Sequence, residues 1–246
     1  MLGDFYKKSD QVIEAGLLGD PFTWSGEPDA VTFNDRSGKS GFNNATGPSC
    51  APKIIDVEAG KTYRVRTIGA TLISLVKVGI ESHSDLQVIE ADGTYTKAAA
   101  IDHMQVASGQ RMSYLLKTMT ESQLKKAGKR QFWIRYETRE RPASITGYAL
   151  LRYASTKHSY PAPPPPHRRR ALAGEPTDAL PATPPVKLPA TTYDYLEYKL
   201  TPQDRKLRDS FPGLDQVTRT VKIQINQKLI SGTYVDGKPN GTLVWV

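Results

Sequence analysis

The chain has 246 residues, room for one large domain or two small ones, with 38% hydrophobic residues, 18 prolines and a formal net charge of +8. No window of about 18 apolar residues occurs, which excludes a membrane-spanning helix. Apart from Arg168-Arg169-Arg170 the basic residues are scattered among Glu and Asp, the pattern of a solvated basic surface and not of a nucleic-acid-binding groove.

The opening MLGDFYKKSD has no apolar stretch before a small-residue cleavage site, so it does not read as a secretory signal. A short helix is predicted from Ser9 to Leu18, capped by Ser9 or Asp10. Residues 21–52 are rich in Gly, Pro, Asn, Asp and Ser and read as loop, with a short strand near Ala30–Phe33. That loop contains the glycosylation sequon Asn44-Ala45-Thr46 and the single cysteine, Cys50, which forms no internal disulfide framework.

From Lys53 to Leu116, short apolar or alternating runs are broken by turn signals about every ten residues, the pattern of an antiparallel sandwich. Tyr63 and Val65 alternate with Arg64 and Arg66. Leu72–Ile80 is nearly all apolar, as in a strand covered on both sides. Leu86–Ala91 ends at the tight-turn pair Asp92-Gly93. Asp102, Met104 and Val106 alternate up to Ser108-Gly109, and Met112, Tyr114 and Leu116 alternate beyond it. Thr120-Glu121-Ser122-Gln123 fits a capping box for a short helix ended by Gly128. Two strands follow, around Phe132–Glu137 and Ile145–Tyr153, with Glu137–Arg141 read as a solvated turn closed by Pro142.

Residues 158–190 hold Pro163–Pro166, the Arg triplet and Thr183-Pro184-Pro185, a proline-stiffened segment too poor in apolar residues to fold alone. It reads as a tether between domains, or as a ligand for proline-recognising domains. Thr201-Pro202 is predicted to begin a short helix. Val217–Asn226 alternates as a half-buried strand, and Asp236-Gly237 and Asn240-Gly241 mark turns. The final apolar run Leu243-Val244-Trp245-Val246 has no following sequence to pair with, which is expected of a truncated sheet.

GKTYRVRTIGAT, IESH followed by VIEADG, and ASGQRMSYLL together resemble the central plastocyanin-like (cupredoxin) domain of multicopper oxidases, in particular the fungal group related to laccases and ascorbate oxidases. GDPFTWSGEP upstream and RQFWIRYETRERPASITGYALLRY downstream extend the resemblance over residues 3–154, and Tyr193–Val246 resembles the entry to a third domain. Two departures stand out: Val31-Thr32-Phe33-Asn34-Asp35 where the family usually has Leu-Ile-Asn-Gly, and Ser84-Asp85 as an insertion after His83.

The resemblance implies an all-β, Greek-key cupredoxin-like sandwich over 1–157, a Pro-rich linker over 158–190, and a truncated start of a further cupredoxin domain over 191–246. It also implies a parent enzyme, copper-dependent and secreted, that oxidises a reducing substrate with dioxygen as acceptor. First and third cupredoxin domains of the same parent chain would be its partners. With only His83, His103, His158 and His167, no His-x-His, and no His beside Cys50, this fragment is expected to bind no copper and to be inactive alone. His83 and His103 are expected to bond a carbonyl or face solvent, not to ligate a metal. Glu81 aligns with a family carboxylate at the substrate pocket, where it can take a proton from a phenol or aromatic amine, or it is a solvated loop carboxylate. Asn44 and Asn240 are the glycosylation candidates. Cys50 matches a cysteine that bridges to the first domain in plant relatives, or is an unpaired loop thiol. The competing class of function is a β-sandwich binding module acting through its basic Pro-rich tail.

Overall fold

The computed structural model describes residues 1–38, 52–141, 143–154, 186–190, 195–210, 212–235 and 238–245, the last two strands through their backbone. Asn44, Cys50, Pro142, His158, His167, Pro163–Pro166, the Arg triplet, Thr183-Pro184-Pro185 and the Asp236-Gly237 turn lie outside the described residues. The chain divides into two units, Met1–Phe5 with Ala30–Arg205, and Tyr6–Asp29 with Lys206–Val246.

In chain order the elements are β1 (Leu2–Phe5), α1 (Asp10–Leu18), β2 (Ala30–Phe33), β3 (Lys53–Val57), β4 (Thr62–Ala70), β5 (Leu75–Ile80), β6 (Leu86–Ala91) and β7 (Thr94–Ile101). They continue with β8 (His103–Val106), β9 (Arg111–Lys117), α2 (Glu121–Ala127), β10 (Gln131–Arg139), β11 (Thr146–Tyr153), α3 (Arg205–Asp209), β12 (Gln227–Val235) and β13 (Lys238–Trp245). The first unit is all-β at its centre, as expected. A six-stranded sheet of order β2-β1-β4-β9-β6-β7 accompanies a five-stranded sheet of order β3-β11-β10-β5-β8. Most pairs are antiparallel, but β1 runs parallel to β4 and β3 parallel to β11, the crossovers of a Greek-key sandwich rather than a simple meander.

One core lies between the sheets. Val65, Val76, Val78, Ile80, Val88, Met104, Val106, Met112, Tyr114, Phe132, Ile134, Tyr136 and Leu151 contribute to it, every second residue of their strands. The alternation of Tyr63 and Val65 with Arg64 and Arg66 therefore reads correctly. The turn at Asp92-Gly93 forms with both residues at positive φ, 48° and 92°. Asn34-Asp35, where the family usually has Asn-Gly, makes an equivalent two-residue turn (φ 47° and 64°), with reciprocal backbone bonds between Phe33 and Arg36. Aspartate tolerates this left-handed geometry better than most side chains, so the substitution leaves the hairpin intact.

Both helix caps form as predicted. Ser9 accepts from the Val12 amide. Thr120 and Gln123 exchange the two bonds of a capping box, and Gly128 ends α2 in the left-handed region.

Several expectations require correction. The apolar run Leu72–Ile80 becomes a strand only at Leu75; Leu72 and Ile73 are exposed, their amides turned to the Asp4 carboxylate. Glu137–Arg141 is not a solvated turn: β10 continues through Arg139 and Glu137 is buried between two arginines. The helix expected at Thr201-Pro202 starts at Arg205, because the Thr201 carbonyl and Gln203 amide are spent on the open edge of β7 at Lys97 and Tyr95. Val217–Asn226 forms no strand among the described residues. Val221, Ile223 and Ile225 are exposed, since alternation supplies an apolar face but not a partner ladder. Asn240-Gly241 is no turn but lies inside β13, opposite Thr233 and Gly232.

Strands β1 and β7 are additions to the elements expected from sequence. Thr94–Ile101 is polar and alanine-rich, with Tyr95 exposed, as an edge strand with one solvated face can be.

Candidate functional site: the Glu81 turn and the clefts around it

Strand β5 ends at Ile80 and the chain reverses through Glu81, Ser82 and His83. Ser82 takes φ 57°, and the His83 amide returns to the Ile80 carbonyl at 3.2 Å. Glu81 is fixed twice to β10: its amide donates to the Trp133 carbonyl (2.8 Å), and its Oε2 accepts from the Trp133 amide (3.0 Å). Its Oε1 meets Lys129 Nζ at 2.5 Å. The left-handed Gly128 turns the chain out of α2 to present Lys129, whose ammonium also lies 5.1 Å from the Phe132 ring centroid. The Glu81 side chain is 11% exposed. It is thus neither a solvated loop carboxylate nor a free one. Two bonds occupy about half of the four acceptor positions a carboxylate offers.

His83 sits behind it, buried. Its Nδ1 is 2.6 Å from the Glu81 carbonyl and its Nε2 2.6 Å from the Tyr153 hydroxyl, which in turn accepts the Met119 amide at 2.8 Å. A carbonyl can only accept, so Nδ1 carries the proton; Nε2 then accepts from the tyrosine O–H. Phe132 meets the imidazole edge-on and Tyr153 stacks on it. Burial pushes the His83 pKa down, against a smaller upward pull from the Glu81 carbonyl and carboxylate, and burial pushes the Tyr153 hydroxyl up. This is the carbonyl-bonded histidine expected from sequence.

The outer face of the five-stranded sheet is covered by an extended segment, Val186–Ala190. Val186 packs with Trp133, Tyr148 and Leu150. Arg135 donates to the Val186 carbonyl (3.0 Å), while Lys77 (3.2 Å) and Arg139 (2.6 Å) both donate to that of Pro189. Glu137 balances the arginines, 2.7 Å from Arg135 and in contact with Arg139. Arg-x-Glu-x-Arg puts all three on one face of β10, a spacing present in the sequence although Glu137–Arg141 was expected to be a solvated turn.

Between this segment and the Glu81 turn lies a cleft of about 320 Å³, lined by Glu81, Ser82, His83, Asp102, His103 and Val186–Pro189 among others. A second, of about 280 Å³, adjoins it and shares Ser84, Asp102 and His103; Ile101, Leu196 and Lys199 complete its walls. Asp102 accepts from His103 Nδ1 at 2.6 Å. Asp92, by contrast, serves its turn, accepting from the Arg111 amide and guanidinium.

Residues 1–156 match the family model described as "Multicopper oxidase". The chain belongs to the multicopper oxidase family. This multicopper oxidase chain is 49% identical over 245 residues to "Multicopper oxidase aurL2" of Gibberella zeae, covering 100% of this chain and 38% of that protein. It is 32% identical over 283 residues to "Laccase-like multicopper oxidase 1" of Thermothelomyces thermophilus (98% and 40%) and 30% identical over 181 residues to "L-ascorbate oxidase" of Nicotiana tabacum (68% and 30%). The chain therefore spans less than half the length of these curated relatives.

Family membership implies copper in the intact protein. Among the described residues no three His, Cys, Asp or Glu side chains come close enough together to hold a metal ion. His83 has both nitrogens engaged and His103 has one bonded to Asp102, so the donor set around the clefts does not fit a copper centre.

Proposed function

We propose that this chain is the central sandwich and the following segment of an oxidase of the laccase and ascorbate oxidase kind, whose intact form oxidises a small reducing substrate with dioxygen as acceptor. In this reading the sandwich holds first and third cupredoxin domains of the same parent chain and supplies one wall of the substrate pocket. Copper is carried by the other domains and not by this fragment, which is inactive alone. The domain division is 1–157, a linker over 158–190 and a further domain opening at 191. The parent is secreted, Asn44 and Asn240 carry glycans, and Cys50 bridges to the first domain.

The observation that carries the substrate role is the position of Glu81. Its carboxylate is held rigidly in the wall of a 320 Å³ cleft by Lys129 and the Trp133 amide, with acceptor positions left for an incoming O–H or N–H. A phenol or aromatic amine that loses an electron becomes strongly acidic, and a fixed carboxylate beside it lowers the barrier to losing the proton.

The test is oxygen uptake by the intact parent with a phenol and with ascorbate, for wild type and Glu81→Gln. Loss of activity toward the phenol by about tenfold or more, within the usual range for removing a general base, supports the reading. Unchanged kcat/KM removes Glu81 from the pocket, and absence of oxygen uptake with any reductant ends the oxidase assignment. Mass analysis before and after glycosidase and reduction tests Asn44, Asn240 and Cys50.

A further inference from the structure

His103 lines both clefts, together with Ser84 and Asp102. It stands directly opposite Gly79 in the β5–β8 pair. A Cβ at position 79 would come within 2.7 Å of Leu188 Cδ2, so the glycine lets the overlying segment pack close beside His103. The His103 side chain is 16% exposed, against 67% for its partner Asp102. The Asp102 carboxylate accepts from Nδ1, which places the ring proton there and leaves the Nε2 lone pair without a hydrogen bond among the described residues. A carboxylate behind an imidazole also makes the far nitrogen a better acceptor. Glu81, in the adjoining cleft, is already neutralised by Lys129 and bonded to the Trp133 amide. The lining of the two clefts is mixed: Glu81, Asp102 and His103 offer acceptors, Lys187 and Lys199 offer donors, and Ile101, Leu188 and Leu196 offer hydrocarbon.

We propose that His103 Nε2, oriented by Asp102, is the hydrogen-bond acceptor that fixes the hydroxyl of a small hydroxylated ring compound in the joined clefts, with Ile101, Leu188 and Leu196 against the ring. This rests on the reading of this domain as a pocket wall but assigns the recognition to a residue that reading does not use. A ring ligand without a hydroxyl donor leaves His103 Nε2 unpaired, so selectivity for the hydroxylated ring follows from that one acceptor.

The experiment uses the 246-residue chain itself, uniformly ¹⁵N-labelled, with catechol as the probe and veratrole (1,2-dimethoxybenzene) as the control lacking the O–H. The imidazole nitrogens of His103 are expected to report a protonated Nδ1 and a bare Nε2 before addition. Catechol, and not veratrole, should shift Nε2 together with the amides of Ile101 and Leu196. His103→Phe should weaken catechol binding by about tenfold, the order expected for one hydrogen bond to a polar group. Asp102→Asn should disturb the ring tautomer with little change in the amide spectrum. A proton on Nε2 in the free chain, equal response to catechol and veratrole, or undiminished binding by His103→Phe overturns the proposal. Should His103→Phe not fold, the wild-type tautomer and the catechol–veratrole comparison decide the matter alone. Binding to this chain is independent of oxygen uptake by the parent, so failure of the oxidase reading and failure of this one are told apart.

Discussion

His83 Nε2 and the Tyr153 hydroxyl lie 2.6 Å apart, joining the turn after β5 to the last strand of the sandwich across 70 positions of sequence. The tyrosine donates to the imidazole and accepts from the Met119 amide, so removing one oxygen strands a buried ring nitrogen and a part-buried amide. Tyr153→Phe is expected to cost about 1–3 kcal/mol, the range for leaving buried polar groups unpaired. Urea denaturation, read as a midpoint shift at constant slope, checks it; a shift too small to resolve shows that water replaces the lost oxygen.

The same histidine makes stability pH-dependent. Its folded pKa lies below its unfolded value of about 6.5. The unfolded chain therefore binds more protons in that window, and stability rises with pH through it. His83 contributes stability present above about pH 6.5, and lost as pH falls through the unfolded value toward the depressed folded one. Thermal melts between pH 7.5 and 5 should show the loss. His83→Gln should flatten that part of the profile; an unchanged slope in the variant assigns the dependence to other groups.

Glu137 is held by Arg135 and Arg139 beneath the covering segment, and all three side chains are at least three-quarters buried. Glu137→Gln leaves two guanidinium charges uncompensated there, and a loss on the order of 3 kcal/mol is expected. Because the arginines also hold the Val186 and Pro189 carbonyls, trypsin cleavage after the exposed Lys187 should quicken. Destabilisation without faster cleavage at Lys187 would separate the charge cluster from the segment above it.

A Cβ at Gly79 would stand 2.7 Å from Leu188 Cδ2, a contact that forces one of them to move. Because the atom met is the end of a leucine side chain that can turn aside, Gly79→Ala should cost about 1 kcal/mol, the low end of the overpacking range, and less in a Leu188→Ala background. A double-mutant cycle measures the coupling; additivity of the two changes would place Leu188 elsewhere in solution.

The Glu81–Lys129 pair calls for smaller numbers. Lys129 is 43% exposed, so solvent screens the attraction, and Lys129→Met should cost only about 0.5 kcal/mol. Glu81→Ala also orphans the Trp133 amide and should cost about 1–2 kcal/mol, whereas Glu81→Gln can keep that bond through its amide oxygen. Equal losses for Ala and Gln would mean that the charge, and not the backbone bond, holds the turn.

Residues 53–153 carried most of the sandwich in their pattern. Tyr63–Val65, Met104–Val106 and Met112–Leu116 alternate because each strand has one face on the core, and Asp92-Gly93 and Gly128 mark positions that require positive φ. Ser9 and Thr120 marked helix starts because a cap is a local bond between residues three apart. Glu81 was reachable only through the resemblance of Ile80-Glu81-Ser82-His83 to a family motif; nothing in its spacing foretold Lys129 or the Trp133 amide.

Where interactions are local or repeat with the period of a strand, this sequence determined the outcome unaided: an all-β sandwich, its turns and its caps. Whether a competent segment acquires a partner was decided only in three dimensions. Val217–Asn226 alternates as well as β4 yet pairs with nothing described, while Glu137 and Arg139 look solvated in sequence and are buried because Val186–Ala190, some fifty positions away, lies across them. Burial and pairing are relations between distant segments, and a one-dimensional pattern records the capacity for them but not the partner.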